Sequence, residues 1–238
     1  MKKRTKTILA ILVGLIALSG VAVGIYGNTC YRAVDVDSFM ASSQSIELKQ
    51  IEEGYWIDGP GEEKALIFYP GGKVEETAYV PLLRSLAAQG IDCFLLKMPL
   101  KLAIFGANRA DAIRARYSYQ EYYLAGHSLG GVMAANHAAE HLEEYAGLFL
   151  LAAYPSKDLS AAKFPVVFLY GENDKVLNRA ALEESFSLVP KEYKAVEISG
   201  GNHAYFGSYG EQKGDGKATI LPQEQWNITT KEIYKYCK

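Results

Sequence analysis

The sequence has few of the residues that mark zinc-binding, disulfide-rich or nucleic-acid-binding proteins. Its 238 residues include three cysteines, none of them in a Cys-x-x-Cys pair, which argues against a cysteine-based zinc site. The formal net charge is −2 and no basic stripe is present, so nothing indicates a nucleic-acid partner. Internal repeats and low-complexity segments are also missing. The remaining composition, 49% hydrophobic and 22% charged, is typical of a globular protein with one core.

Charge is missing as well from residues 7–31, close to the start of the chain. Four cations precede this run: Lys2, Lys3, Arg4 and Lys6. A helix needs about 20 apolar residues to cross a bilayer, and the preceding cations place the N-terminus in the cytoplasm. We therefore predict that residues 1–31 form a single-pass signal anchor in the cell membrane, with the rest of the chain outside. A cleaved signal peptide and a secreted protein are the alternative.

The rest of the chain divides into a linker, residues 32–44, and one folded domain, residues 45–238. In this domain, apolar runs of strand length alternate with segments of helical periodicity. The predicted strands are 45–57 (one or two strands), 64–69, 91–96, 122–125, 147–151, 165–170 and 193–198. The predicted helices are 75–89, 108–117, 132–139, 179–188 and 223–236. Because most strands are apolar throughout, the pattern indicates an α/β fold with a mostly parallel sheet and helices on both faces.

A serine lies at a tight corner between one predicted strand and the helix that follows it. Residues 126–130 read Gly-His-Ser-Leu-Gly, and the glycines let the chain turn where a Cβ would crowd the strand or the helix. This spacing predicts a nucleophile elbow, in which Ser128 lies at the tip of the turn over a helix N-terminus. A chance match in a loop is the alternative interpretation.

A serine nucleophile needs a base, and the base needs an acid that orients it. When the serine lies on such an elbow, the acid and then the histidine follow it along the chain. Asp174 lies in the loop after the strand at 165–170, and His203 lies in the loop after the strand at 193–198. Open α/β sheets place their sites at the carboxyl ends of strands, so we predict Asp174 as the acid and His203 as the base. Glu172 is the rival acid.

The reaction of such a serine also needs backbone N–H groups that stabilise an oxyanion. One donor is expected to be the N–H of Leu129, directly after the nucleophile. The other is expected from the loop after the strand at 64–69, where residues 70–73 read Pro-Gly-Gly-Lys. Gly72 is the first candidate and Lys73 the second, and a plain turn is the alternative interpretation.

Together these segments resemble the α/β-hydrolase family, in particular its small single-domain serine esterases and its dienelactone-hydrolase-like members. The resemblance rests on residues 126–131, 171–174 and 202–203. It covers roughly residues 45–238. It implies a carboxylesterase-like serine hydrolase that cleaves a carboxylic ester or a related acyl bond through an acyl-enzyme intermediate. It also implies a small-molecule acyl substrate, no cofactor, and a catalytic triad of the predicted serine, aspartate and histidine. Dienelactone hydrolases themselves use a cysteine nucleophile, whereas the nucleophile here is a serine.

Many α/β-hydrolases carry a lid domain between the strand after the nucleophile helix and the strand that leads to the acid. In this sequence residues 155–164 separate those two strands. A segment of this length makes a loop but not a separate lid. We therefore predict that no lid domain is present and that the site is a shallow, open cleft.

Two other functions fit parts of the sequence. Residues 137–141 read His-Ala-Ala-Glu-His, a pattern of zinc metallopeptidases in which His137, Glu140 and His141 would form the site. The competing interpretation is a solvated helix end, where a histidine is favourable, and on that interpretation we predict no metal site. The other function is that of a non-catalytic, membrane-tethered binding protein on a hydrolase scaffold.

Overall fold

The computed structural model describes Leu12, Val13, Tyr26 and residues 29–238. The chain divides into two compact units, Met1–Cys30 and Tyr31–Lys238. The predicted membrane segment lies almost wholly outside the described residues, so the signal anchor and the cell-membrane location stay predictions. Among the residues that are described, no helix has both the length and the apolar character needed to span a bilayer.

A sheet of eight strands forms the centre of the second unit. Its strands are β1 (Glu47–Ile51), β2 (Gly54–Asp58), β3 (Lys64–Tyr69), β4 (Asp92–Leu96), β5 (Glu121–His127), β6 (Gly147–Leu151), β7 (Val166–Gly171) and β8 (Lys194–Ile198). Their order across the sheet is β1-β2-β4-β3-β5-β6-β7-β8. β2 pairs antiparallel with β1 and β4, and every other pair is parallel. The predicted mostly parallel sheet is confirmed.

Six α-helices accompany the sheet within residues 31–238. They are α1 (Asp37–Met40), α2 (Val80–Ala87), α3 (Arg109–Arg116), α4 (Leu129–Glu140), α5 (Arg179–Ser185) and α6 (Pro222–Tyr234). Two of the predicted helices, 75–89 and 179–188, include a 3₁₀ turn beside the α-helix: Glu76–Tyr79 precedes α2, and Phe186–Leu188 follows α5. A 3₁₀ turn keeps much of the helical spacing while its hydrogen bonds tighten, so apolar periodicity alone does not separate the two.

Successive residues of the strands bury two separate clusters, one on each face of the sheet. Along β3, Leu66 and Phe68 belong to one cluster, whereas Ala65, Ile67 and Tyr69 belong to the other. This alternation follows because neighbouring side chains of a strand point to opposite faces. Residues of α2 and α6 complete the first cluster, and residues of α3, α4 and α5 complete the second. Helices therefore cover both faces, as the apolar strands predict.

The segment predicted as a linker, residues 32–44, packs on the domain. It contains α1, whose Phe39 lies edge-on to Trp226 of α6 with ring centroids 6.4 Å apart. Val36 is buried, and the preceding Tyr31 forms a parallel bridge with Val74. Tyr31 and Phe39 pack against the cluster on the face of the sheet that α2 and α6 cover.

The connection between β6 and β7 contains neither a helix nor a strand. Leu159 and Phe164 within it are buried against the second cluster, so much of this short segment is used for packing. The prediction that no lid domain is inserted here is confirmed.

The topology brings four loops to one edge of the sheet. They follow β3, β5, β7 and β8, which all run parallel, and they carry Gly72, Ser128, Asp174 and His203 respectively. The direction in which strands are added to the sheet changes at β3, because β4 lies on one side of β3 and β5 lies on the other. β3 is therefore a topological switch point. The crevice at such a switch point is where open α/β sheets bind their ligands.

Candidate active site

Ser128 occupies a strained turn between β5 and α4. Its φ is 52° and its ψ is −126°, a conformation that costs a residue other than glycine about 1–3 kcal/mol. The Ser128 N–H donates to the Leu151 carbonyl at 2.9 Å, which fixes the turn to the end of β6. A Cβ on Gly130 would lie 2.2 Å from the Tyr69 carbonyl oxygen, so α4 approaches β3 this closely only with glycine there. The local structure is the strand–turn–helix corner that the glycine spacing predicts.

His203 and Asp174 form a buried pair. His203 Nδ1 lies 2.8 Å from Asp174 Oδ2, and the two side chains are 2% and 0% exposed. Asp174 Oδ1 accepts hydrogen bonds from the N–H groups of Val176 and Leu177, both at 2.8 Å. These partners fix the carboxylate in orientation. As an ionised carboxylate only accepts hydrogen bonds, it sets the proton of His203 on Nδ1 and leaves Nε2 able to accept one.

Nε2 of His203 is buried and has no hydrogen-bond partner within the described residues. Ser128 and His203 line one cavity of about 270 Å³, whose other walls include Val132, Val176 and Leu177. The contact between a serine and its base is often long in a free enzyme and tightens when substrate binds. A larger cavity of about 550 Å³ lies elsewhere and contains neither residue. The smaller cavity is therefore the candidate site, because it alone of the two joins the serine to the histidine.

The rival acid, Glu172, has other partners. Its carboxylate accepts a hydrogen bond from the Gly200 N–H at 2.8 Å and one from the Ser199 hydroxyl at 3.0 Å. These bonds, that of Gly200 first, hold the pKa of Glu172 below its ordinary value. Glu172 thus ties the loop after β7 to the end of β8, while Asp174 is the carboxylate that pairs with His203.

Within the described part of the chain, the backbone N–H groups of Gly72 and Leu129 at the site have no hydrogen-bond acceptor. In the loop after β3, the Lys73 N–H donates to a backbone carbonyl at 2.8 Å and the Gly71 N–H donates to the Tyr79 hydroxyl at 3.0 Å. The Leu129 N–H opens α4, where the first N–H groups have no intrahelical acceptor. A Cβ on Gly72 would lie 3.0 Å from the Leu129 side chain, so the two donors come from neighbouring residues. Gly72 and Leu129 therefore fit an oxyanion hole, and Lys73 does not.

Sequence reasoning missed the residues that hold the His203 loop. Gln225 of α6 accepts from the Asn202 N–H at 3.0 Å and donates to the Asn202 carbonyl at 2.9 Å. Asp215 accepts from the Ala204 N–H at 2.9 Å. Gln225 lies 23 residues along the chain from Asn202, and Asp215 lies 11 residues from Ala204. No sequence motif connects either pair. Two further buried residues, Tyr79 and His127, were also missed.

In the structure, Asp111 rather than Glu140 lies with the two histidines of the zinc-metallopeptidase pattern. His137 and His141 come together with Asp111 of α3, with possible ligand atoms within 4.8 Å of one another, while Glu140 forms an ion pair elsewhere. The two imidazole rings stack with their centroids 4.3 Å apart and their planes 28° apart. His137 Nε2 lies 2.8 Å from the Tyr145 hydroxyl, and burial lowers the pKa of His137 to about 4. A neutral histidine that anchors the end of α4 fits this geometry better than a metallopeptidase site.

The sequence and the fold both have known relatives. The model of the alpha/beta hydrolase family matches residues 65–227, and no curated protein matches the chain. A predicted CIB-like hydrolase from Thermoplasma acidophilum has a similar structure, with 12% identity and a TM-score of 0.62 over 80% of this chain and 99% of that chain.

Two more solved structures share the fold at similarly low identity. Est1E from Butyrivibrio proteoclasticus is 14% identical, with a TM-score of 0.58 over 82% of this chain and 99% of that chain. A dienelactone hydrolase from Anabaena variabilis is 14% identical, with a TM-score of 0.62 over 81% of this chain and 99% of that chain. At these low identities, the comparisons show a shared fold.

Proposed function

The chain belongs to the α/β-hydrolase family, and from that premise we propose that it is a serine hydrolase that cleaves short carboxylic esters through an acyl-enzyme intermediate. The observation that supports this most is the buried pair of Asp174 and His203 at the cavity that Ser128 lines. A buried imidazole whose Nδ1 is held by a carboxylate and whose Nε2 is unpaired is equipped to accept a proton from a serine hydroxyl.

In the proposed acylation, Ser128 Oγ attacks the ester carbonyl carbon while its proton passes to His203 Nε2. The carbonyl oxygen becomes an oxyanion, which the N–H groups of Gly72 and Leu129 stabilise. When the tetrahedral intermediate collapses, the bond to the alcohol oxygen breaks and His203 gives its proton to that oxygen. Asp174 stabilises the imidazolium between the two transfers.

In the proposed deacylation, a water molecule takes the place of the alcohol. His203 accepts its proton, the resulting tetrahedral intermediate uses the same two N–H groups, and the bond to Ser128 Oγ breaks. His203 then returns a proton to Oγ, which releases the carboxylic acid and restores the serine.

A fluorophosphonate probe tests the proposed nucleophile directly, because it reacts with an activated serine. We expect the soluble domain to be labelled on the peptide that contains Ser128, and Ser128→Ala to lose the label. Mass spectrometry of the digested protein locates the adduct. A folded domain that resists the probe and hydrolyses no ester would favour the non-catalytic binding protein instead.

The cavity also predicts the length of the acyl group. It is small, it has no lid above it, and it is walled by side chains such as Val132 and Leu177. A long chain would therefore leave most of its methylene groups in water, without the gain of about 0.8 kcal/mol for each one buried. On a panel of p-nitrophenyl esters, we expect kcat/KM to be highest for short acyl chains and to show no interfacial activation.

A matched pair of variants tests whether the cavity wall limits the length of the acyl chain. Val132→Ala removes two methyl groups from the cavity wall and is expected to raise the relative rate of longer chains. Met133→Ala is the control, because the neighbouring Met133 packs against the core cluster and does not line the cavity. Rates of the wild type that rise steadily up to about 16 carbons, with each buried CH₂ contributing, would contradict a small cavity.

A further inference from the structure

Two hydrogen bonds link the loop after β3 to His127, a buried residue whose ring contacts the histidine of the site. The Gly71 N–H donates to Tyr79 Oη at 3.0 Å, and Tyr79 Oη lies 2.8 Å from His127 Nδ1. The His127 ring in turn lies against the His203 ring, with centroids 4.6 Å apart. Tyr79 and His127 are 0% and 1% exposed, and neither takes part in the proposed chemical steps.

The donors and acceptors in this Gly71–Tyr79–His127 chain favour one direction for its hydrogen bonds. Because the Gly71 N–H donates to Tyr79, the hydroxyl oxygen is an acceptor there, and its own proton points to His127 Nδ1. Burial raises the pKa of Tyr79, so it remains a phenol. Burial, and then the nearness of the His203 imidazole, lowers the pKa of His127 well below its ordinary value. In that direction His127 is a neutral imidazole with its proton on Nε2, an atom that has no hydrogen-bond partner among the described residues.

The chain is also packed too tightly for any side chain at position 71. A Cβ on Gly71 would lie 2.7 Å from Tyr79 Oη and 2.8 Å from His127 Nδ1. The next residue, Gly72, supplies the proposed oxyanion donor, so a shift of Gly71 displaces that donor. One buried hydroxyl thus contacts both the oxyanion loop and the imidazole that supports His203.

We infer that Tyr79 and His127 are positioning residues, Tyr79 holding the oxyanion loop through Gly71 and His127 supporting the ring of His203. The inference rests on the proposed function. In the proposed reaction His203 becomes positive, and a neutral ring 4.6 Å away does not oppose that charge as a second imidazolium would. The oxyanion forms only after attack, so displacement of its donors slows the chemical step more than it weakens substrate binding.

Tyr79→Phe tests the inference, because it removes the hydroxyl and keeps the ring that fills the core. We expect kcat for a butyrate ester to fall about 10- to 100-fold, the size of effect that a 1 Å misplacement produces, with KM nearly unchanged. We expect the affinity for an alkyl boronic acid, which mimics the tetrahedral intermediate, to fall with kcat. A purely structural role would lower the melting temperature without this separation of kcat from KM.

Tyr123→Phe is the matched control. Tyr123 is also buried, and its hydroxyl donates to Glu121 Oε2 at 2.7 Å, at the opposite end of β5 from Ser128. We expect this variant to keep the kcat and the boronic-acid affinity of the wild type. Equal values of both quantities in Tyr79→Phe and Tyr123→Phe would overturn the inference.

NMR gives a readout that does not depend on hydrolysis. Long-range ¹H–¹⁵N spectra of the wild type are expected to show His127 protonated on Nε2, and Tyr79→Phe is expected to move the resonances of Gly72 and His203. A wild type with this tautomer and these shifts but without esterase activity would refute the proposed function and support the coupling. A His127 proton on Nδ1 in the wild type would refute the coupling even if Tyr79→Phe did not fold.

Discussion

Ser128→Ala is expected to abolish measurable ester hydrolysis, with a loss in kcat of about 10⁴-fold or more. The alanine has no hydroxyl group with which to form the acyl bond. His203→Ala is expected to cost about as much. The double variant should lose little more than either single one, because the serine and its base act as a unit.

Steady-state kinetics with a short p-nitrophenyl ester measures these losses, and circular dichroism establishes that each variant is folded. Ser187→Ala is a suitable control, because Ser187 is exposed and, as far as the structure describes the chain, its hydroxyl bonds only to the Glu184 carbonyl. If Ser128→Ala kept more than about a tenth of the wild-type turnover, the loss would be below 1.4 kcal/mol. The acyl-enzyme mechanism would then be wrong.

Asp174→Asn is expected to lower kcat by about 10⁴-fold while the loop keeps its structure. The side-chain oxygen of asparagine can still accept the N–H groups of Val176 and Leu177, which hold Oδ1 now. Its amide nitrogen would then face His203 Nδ1, and two donors cannot share a hydrogen bond. His203 would have to carry its proton on Nε2, which is the nitrogen that must accept the serine proton.

Glu172→Gln is the matched control for this prediction, since it makes the same chemical change two residues away in the same loop. Its partners, Ser199 and Gly200, belong to the adjoining loop rather than to His203. We expect its kcat to stay close to that of the wild type. The opposite pattern, with activity lost in Glu172→Gln and kept in Asp174→Asn, would reverse the assignment of the acid.

The order of the elements could be read from the sequence because their signals are local. β3 and β6 are continuous apolar runs, and the runs predicted at 64–69 and 147–151 coincide with their observed bounds. Ser128 was locatable for a similar reason, since Gly126 and Gly130 mark a turn that only glycine permits. The helix ends were less accurate, because a 3₁₀ turn and an α-helix share most of their apolar spacing.

By itself, therefore, the sequence determined the α/β fold, the strand–turn–helix corner at Ser128 and the loops in which Asp174 and His203 lie, all of which follow from patterns within a few residues. Only the tertiary structure decided between Asp174 and Glu172 as the partner of His203, and between Gly72 and Lys73 as the free donor. It also revealed the contact between Tyr79 and His127, which lie 48 residues apart. The physical reason is that a hydrogen bond depends on distance and direction to within a few tenths of an ångström, and for groups far apart in the chain these are set by the packing of the whole sheet.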